Sequence, residues 1–176
     1  MENTLIFEVL ESQYKAALTM LRNALEKVPA EHWNSKEYNK PTWQLAFHTL
    51  YGTKMYLSPS PETFVLWENA IRGAESLSGV NEWEHPEEGV IVEGTHTPSE
   101  LIAFIDDIVA NLHQNISALP IQEPSGFEWY PVTRLELHLT NIRHIQHHTA
   151  QIIERLKAKN IHGFAWLIDG NAAVEW

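Results

Sequence analysis

VTRLELHLTNIRHIQHHTAQIIERLKAK, residues 132–159, is the stretch on which the fold class turns. Its apolar positions Leu135, Ile142, Ile145, Ile152, Ile153 and Leu156 recur at three- and four-residue steps, the period of a helix buried along one face. Pro131 stands just ahead of it and no proline interrupts it, so a helix is expected from about Val132 to about Lys159. On the wheel of that helix, at about 100° per residue, His144, His148, Gln151, Asn141 and Arg155 fall within one arc of about 80°. These five make a polar stripe that flanks the apolar arc, while His147 turns toward the exposed side.

The same period appears three more times. Leu5, Ile6, Val9, Leu10, Tyr14, Ala17, Leu18, Leu21 and Leu25 mark a first helix from about Thr4 to Val28, ended by Pro29. Pro41, suited to a first helical position, opens a second over TWQLAFHTLYGTKMYL, which the SPSP run at 58–61 stops. A third begins at Thr97, where Pro98 follows and Glu100 completes a capping box ahead of LIAFIDDIVANLHQNISAL; Pro120 closes it. Nothing reads as alternating strands. The expectation is an all-α fold, an antiparallel four-helix bundle forming a single domain over residues 1–176. Residues 59–97 form a long link between the second and third helices, too long for a structureless turn, and VIVE at 90–93 is a candidate brief strand. The apolar tail, residues 163–176, is expected to pack on the bundle or on a second subunit, which points to a homodimer.

Composition narrows the partners. Acidic residues outnumber basic ones by 23 to 12, and the resulting charge of −11 repels phosphate backbones and anionic lipid. There is no cysteine, which excludes disulfides, thiolate metal sites and a cysteine nucleophile; any metal must be held by nitrogen and oxygen. The N-terminus lacks a basic region followed by a long apolar run, and no stretch approaches the length of a membrane span. A cytoplasmic protein with neither nucleic acid nor membrane as partner is expected.

His144 and His148 are an i,i+4 pair, whose Cβ atoms stand about 5–6 Å apart on successive turns, so that both rings can reach one cation. The spacing is that of HExxH metalloproteases, but Ile145 replaces the glutamate that acts there as base. The alternative is a pair of hydrogen-bonded histidines at a core margin. Asn141, Gln151 and Arg155 weigh against it, because a purely structural face is more readily filled with apolar residues. Arg155 suits either a substrate carboxylate, met bidentately, or an ordinary exposed ion pair with Glu154 or an aspartate elsewhere. His48 is a third candidate inside an apolar, aromatic helix, where only a nearby partner would make it more than a core histidine. In the link, Trp67, Trp83 and His85 with Glu82, Glu84, Glu87 and Glu88 form either a lid or the core of a small insertion with an acidic rim. His32, His96, His113, His138 and His162 have no same-face partner and default to surface or local hydrogen-bonding roles. No general base is evident, so the catalytic residues stay unassigned.

Trp43-x4-His48, His144-x2-His147-His148-x2-Gln151, the TPSEL opening of the third helix and the helix order together resemble the DinB-like (DinB/YfiT) superfamily over most of the chain. That resemblance implies a four-helix bundle in which one histidine from the second helix and two from the fourth hold a divalent metal. The implied ligands are His48, His144 and His148, with Gln151 supporting them or facing the substrate and His147 not ligating. Three protein nitrogens leave open positions, as in catalytic sites, and neutral imidazoles suit zinc or nickel. The implied activity is that of a metal-dependent hydrolase or thiol S-transferase, in which the metal activates water or a low-molecular-weight thiol such as bacillithiol or mycothiol toward a small-molecule substrate. The rival reading is a non-catalytic bundle, metal-stabilised or dedicated to interaction.

Overall fold

Apolar steps of three and four along the N-terminal stretch produce α1, Glu2–Leu25, which buries Leu10, Tyr14, Ala17, Leu18, Leu21, Ala24 and Leu25. The computed structural model describes residues 2–77, 92–170 and 173–174. Leu5 and Val9, read from sequence as part of the same buried face, are exposed. Pro29 does not simply end the first helix: it starts a single further turn, α2, Ala30–Trp33. Next come α3, Thr42–Leu57, with Pro41 at its N-cap, and α4, Pro98–Ala110, capped by the expected box of Thr97 and Glu100. The expected third helix then breaks into α4 and α5, Leu112–Ser117. The break lies at Asn111, whose side chain donates to the Asp107 carbonyl at 2.9 Å and so competes with the helical ladder. The last helix is α6, Arg134–Lys157.

Among the described residues the fold is therefore all-α but for one two-stranded ribbon. α6 packs against α1 and α3, while α4 and α5 each pack against α1 and α3, so one apolar core is shared by all of the longer helices. No described helix is long and apolar enough to cross a membrane. Small and polar groups take part where α3 meets α6. Thr53 is fully buried, and the Asn141 amide donates across to its carbonyl at 3.1 Å. Gly52, one residue earlier, brings the α3 backbone against the His144 ring.

The link is partly core. Trp67, expected in a lid or an insertion core, stacks on Phe104 with centroids 4.4 Å apart, and Ile71, Leu77 and Val92 pack on the same cluster. Trp83, His85 and the four glutamates around them lie outside the described residues, as does part of the strand expected at 90–93; Val92 and Glu93 themselves are irregular.

The start of α6 is firmly tied. Its first two N–H groups, on Arg134 and Leu135, donate to the Glu123 and Ile121 carbonyls at 2.8 and 2.9 Å, and the third, on Glu136, reaches the Thr133 hydroxyl. Arg134 is fully buried, and its guanidinium donates to the Ser125 carbonyl and to the Leu57 carbonyl at the end of α3. After α6 the chain turns back along α1. Gln13 donates to the Ile168 carbonyl, Gly170 N–H donates to the Ser12 hydroxyl, and β1, Trp166–Leu167, pairs antiparallel with β2, Ala173–Val174.

Candidate metal centre

His48 lies midway along α3, and α6 presents His144 and His148 one turn apart on the side that faces it. Close approach of the two helices brings together residues 96 positions apart in sequence: His48 Nε2 and His144 Nε2 stand 3.1 Å from each other. One ring nitrogen from each of the three histidines lies within 4.8 Å of the other two. The rings meet edge to face, with centroids 5.0 Å apart for His48 and His144, 4.8 Å for His48 and His148, and 4.6 Å for His144 and His148.

The hydrogen bonds fix which nitrogen of each outer ring faces the cluster. His48 Nδ1 is 2.6 Å from the Glu75 carbonyl and His148 Nδ1 is 2.8 Å from Gln151 Oε1. Both partners are acceptors, so both Nδ1 atoms carry the proton and both Nε2 atoms present a lone pair. His144 Nδ1 is buried without a hydrogen-bond partner among the described residues. Burial, followed by the charges of His48, His148 and His147, pushes His144 down to about 3. Burial likewise dominates at His148, which falls to about 4 even though its bond to Gln151 acts in the opposite sense. Near neutral pH these two rings are neutral, the state a metal ligand requires.

The donor set fits a divalent ion. Two nitrogens each about 2.0–2.1 Å from one tetrahedral zinc stand about 3.3 Å apart, close to the separation of His48 and His144. Lone pairs that converge in a buried site need a cation or a proton between them, and a divalent ion held by the three rings meets that need. Gly52 supplies the room, because a Cβ there would lie 2.9 Å from His144 Cε1.

A pocket of about 390 Å³ opens from this cluster along the α3–α6 groove. His48, Gly52 and His144 line it together with Tyr51, Tyr56 and Tyr130. A wider groove of about 650 Å³ follows the 122–136 connection, but it touches none of the three histidines and shares only Tyr130 with the smaller pocket.

The other polar residues of the α6 stripe go separate ways. Gln151 is exposed and orients His148. Asn141 is fully buried, with its amide committed to Thr53, and it also lines the pocket. Arg155 points elsewhere: its guanidinium stacks on Tyr38, 4.3 Å from the ring centroid, and donates to the Lys40 carbonyl. The alternative partner, Glu154, pairs with Lys157. His147 is exposed and outside the cluster. Glu75, Tyr51, Tyr56 and Tyr130 were not singled out from sequence. The one local signal was Gly52, a glycine inside an apolar helix and one turn after His48.

A family model described as the DinB superfamily matches residues 13–152, a span that holds all three histidines. No curated protein and no solved structure matches the chain.

Proposed function

The chain belongs to the DinB superfamily, and from that membership and its histidine cluster we propose that it is a metal-dependent enzyme built on an antiparallel four-helix bundle. His48, His144 and His148 hold one zinc or nickel ion, and the observation that carries this reading is the convergence of three ring nitrogens within 4.8 Å beside an open pocket. Bound there, the ion supplies Lewis acidity that makes an anionic nucleophile from water or a small thiol near neutral pH. The protein's own groups do the rest. The Glu75 carbonyl and Gln151 fix the tautomers and planes of His48 and His148, and such supporting bonds are commonly worth about 10–100-fold in metal affinity. The tyrosine-walled pocket takes a small-molecule substrate, while Arg155 holds the connection between α2 and α3.

Elemental analysis of the purified, untagged protein beside a His144→Ala, His148→Ala double variant tests the reading. About one equivalent of zinc or nickel in the unaltered chain and none in the variant is the expected result; no metal after reloading overturns it.

Exposed Trp166 and Ile168, beside the tail that folds on α1, favour a second reading in which the metal stabilises a homodimeric interaction module. Chelation separates the two. A structural ion takes much of the thermal stability with it, whereas an ion in an open catalytic site takes ligand binding or activity and little stability.

A further inference from the structure

Beyond the metal ligands, the pocket carries a charge pattern that bears on what it admits. Among the described residues its only formally charged lining side chain is Glu75, and no described lysine or arginine lines it. Glu75 is half-buried, and its carboxylate has no hydrogen bond or ion pair among the described residues. A partly desolvated carboxylate left unpaired is costly unless a cation is brought to it. Three phenol rings line the same pocket. Tyr56 and Tyr130 meet at 85° with centroids 5.2 Å apart, which makes a corner of two aromatic walls, and Tyr51 adds a third. Glu75 lies close enough to Tyr51 for its charge, together with the burial that dominates there, to hold that hydroxyl above its ordinary range. Burial does the same at Tyr56, which is raised to about 12. The phenols are therefore neutral, and their negative ring faces attract cations.

We propose that the pocket beside the histidine cluster selects a small organic cation, an amine or quaternary ammonium on an apolar body, with the cationic centre between Glu75 and the tyrosine rings. The inference rests on the metal-enzyme reading only for the ligand's orientation, which turns the neutral or anionic reacting group toward His48 and His144 and keeps the ammonium at the tyrosine end. Met55 and the phenol rings supply the apolar surface for the body of the ligand. An anionic group at the tyrosine end would meet Glu75 with no described lysine or arginine in the lining to offset it, and the −11 net charge of the chain further favours approach of a cation.

The test is calorimetric titration of the full chain, zinc-loaded and zinc-free, with benzyltrimethylammonium, benzyl alcohol and phenylacetate as three probes of similar size. The cation is expected to bind at least about tenfold more tightly than the other two. Glu75→Gln should remove most of that preference while leaving zinc stoichiometry unchanged, and Tyr56→Leu should weaken cation binding several-fold. Because the Glu75 side chain makes no described contact that the fold depends on, the Gln variant is expected to melt with the unaltered chain, and the probe series on the unaltered chain stands without any variant. Equal binding of the three probes, a preference for phenylacetate, or a cation preference untouched in Glu75→Gln overturns the proposal. Zinc uptake without discrimination among probes sinks the cation pocket alone, whereas discrimination without zinc uptake sinks the metal reading alone.

Discussion

Gly52 sits inside α3, where glycine is less favourable than alanine by about 1 kcal/mol. What that concession provides is space for His144, since a Cβ would press to 2.9 Å on its ring. The two effects of Gly52→Ala should therefore have opposite signs. Zinc affinity, followed by competition with a chromophoric chelator, should fall by about tenfold or more, while the metal-free protein should melt no lower than before. A variant that loses stability and keeps its affinity would show that the gap does not position the ring. Gln151→Ala should lower affinity by about 10–100-fold in the same assay, because His148 then loses the acceptor that orients it. At this scale the sequence was only half legible. His144 and His148 announce themselves by their spacing, but His48 gains its meaning from a partner 96 residues away, and residues alone pointed to it only through the family resemblance. Arg155 was read as meeting a carboxylate; its actual partners, Tyr38 and the Lys40 carbonyl, sit in an irregular connection that no periodicity locates.

Elements are placed by their ends. α6 can carry two ligands with fixed orientation because its first turn is pinned to residues 121–125 and its N-cap box is complete. Thr133→Ala removes the hydroxyl that accepts the Glu136 N–H and should cost about 1 kcal/mol in urea unfolding. Gly126→Ala should cost more. That residue has φ +86°, and a Cβ on it would fall 2.0 Å from the Pro59 carbonyl oxygen, so the connection that carries Tyr130 must lift away from the end of α3. The same melts check it, and a loss no larger than that of Thr133→Ala would show that the connection yields easily. Prolines and capping residues made α3, α4 and α6 legible to within a residue or two at most ends. The single-turn α2 and the break at Asn111 were not, since each depends on a local hydrogen bond or backbone angle that competes with a favourable helical pattern.

The whole molecule carries a buried histidine that the metal reading does not use. His138 has no exposed surface; its Nδ1 meets the Tyr14 hydroxyl at 3.1 Å, and its Nε2 has no partner among the described residues. Burial first, and then the charge of Arg134, pushes it from 6.5 down to about 3. The folded chain thus keeps this ring neutral while the unfolded chain protonates it. Below pH 6.5 the unfolded state binds a proton that the folded state refuses, so stability is intact above that pH and drains away as pH falls toward about 3. The slope is about 1.4 kcal/mol per pH unit within that window. Urea unfolding of the metal-free chain at pH 7, 6 and 5, beside His138→Gln, isolates the effect from the carboxylates and the other histidines, which both proteins share. The unaltered chain should lose about 2 kcal/mol more than the variant between pH 7 and 5. Parallel curves would mean that the ring takes up its proton in the folded state, which requires an acceptor or water at Nε2 and a less closed interface among α1, α6 and Arg134 than the geometry implies.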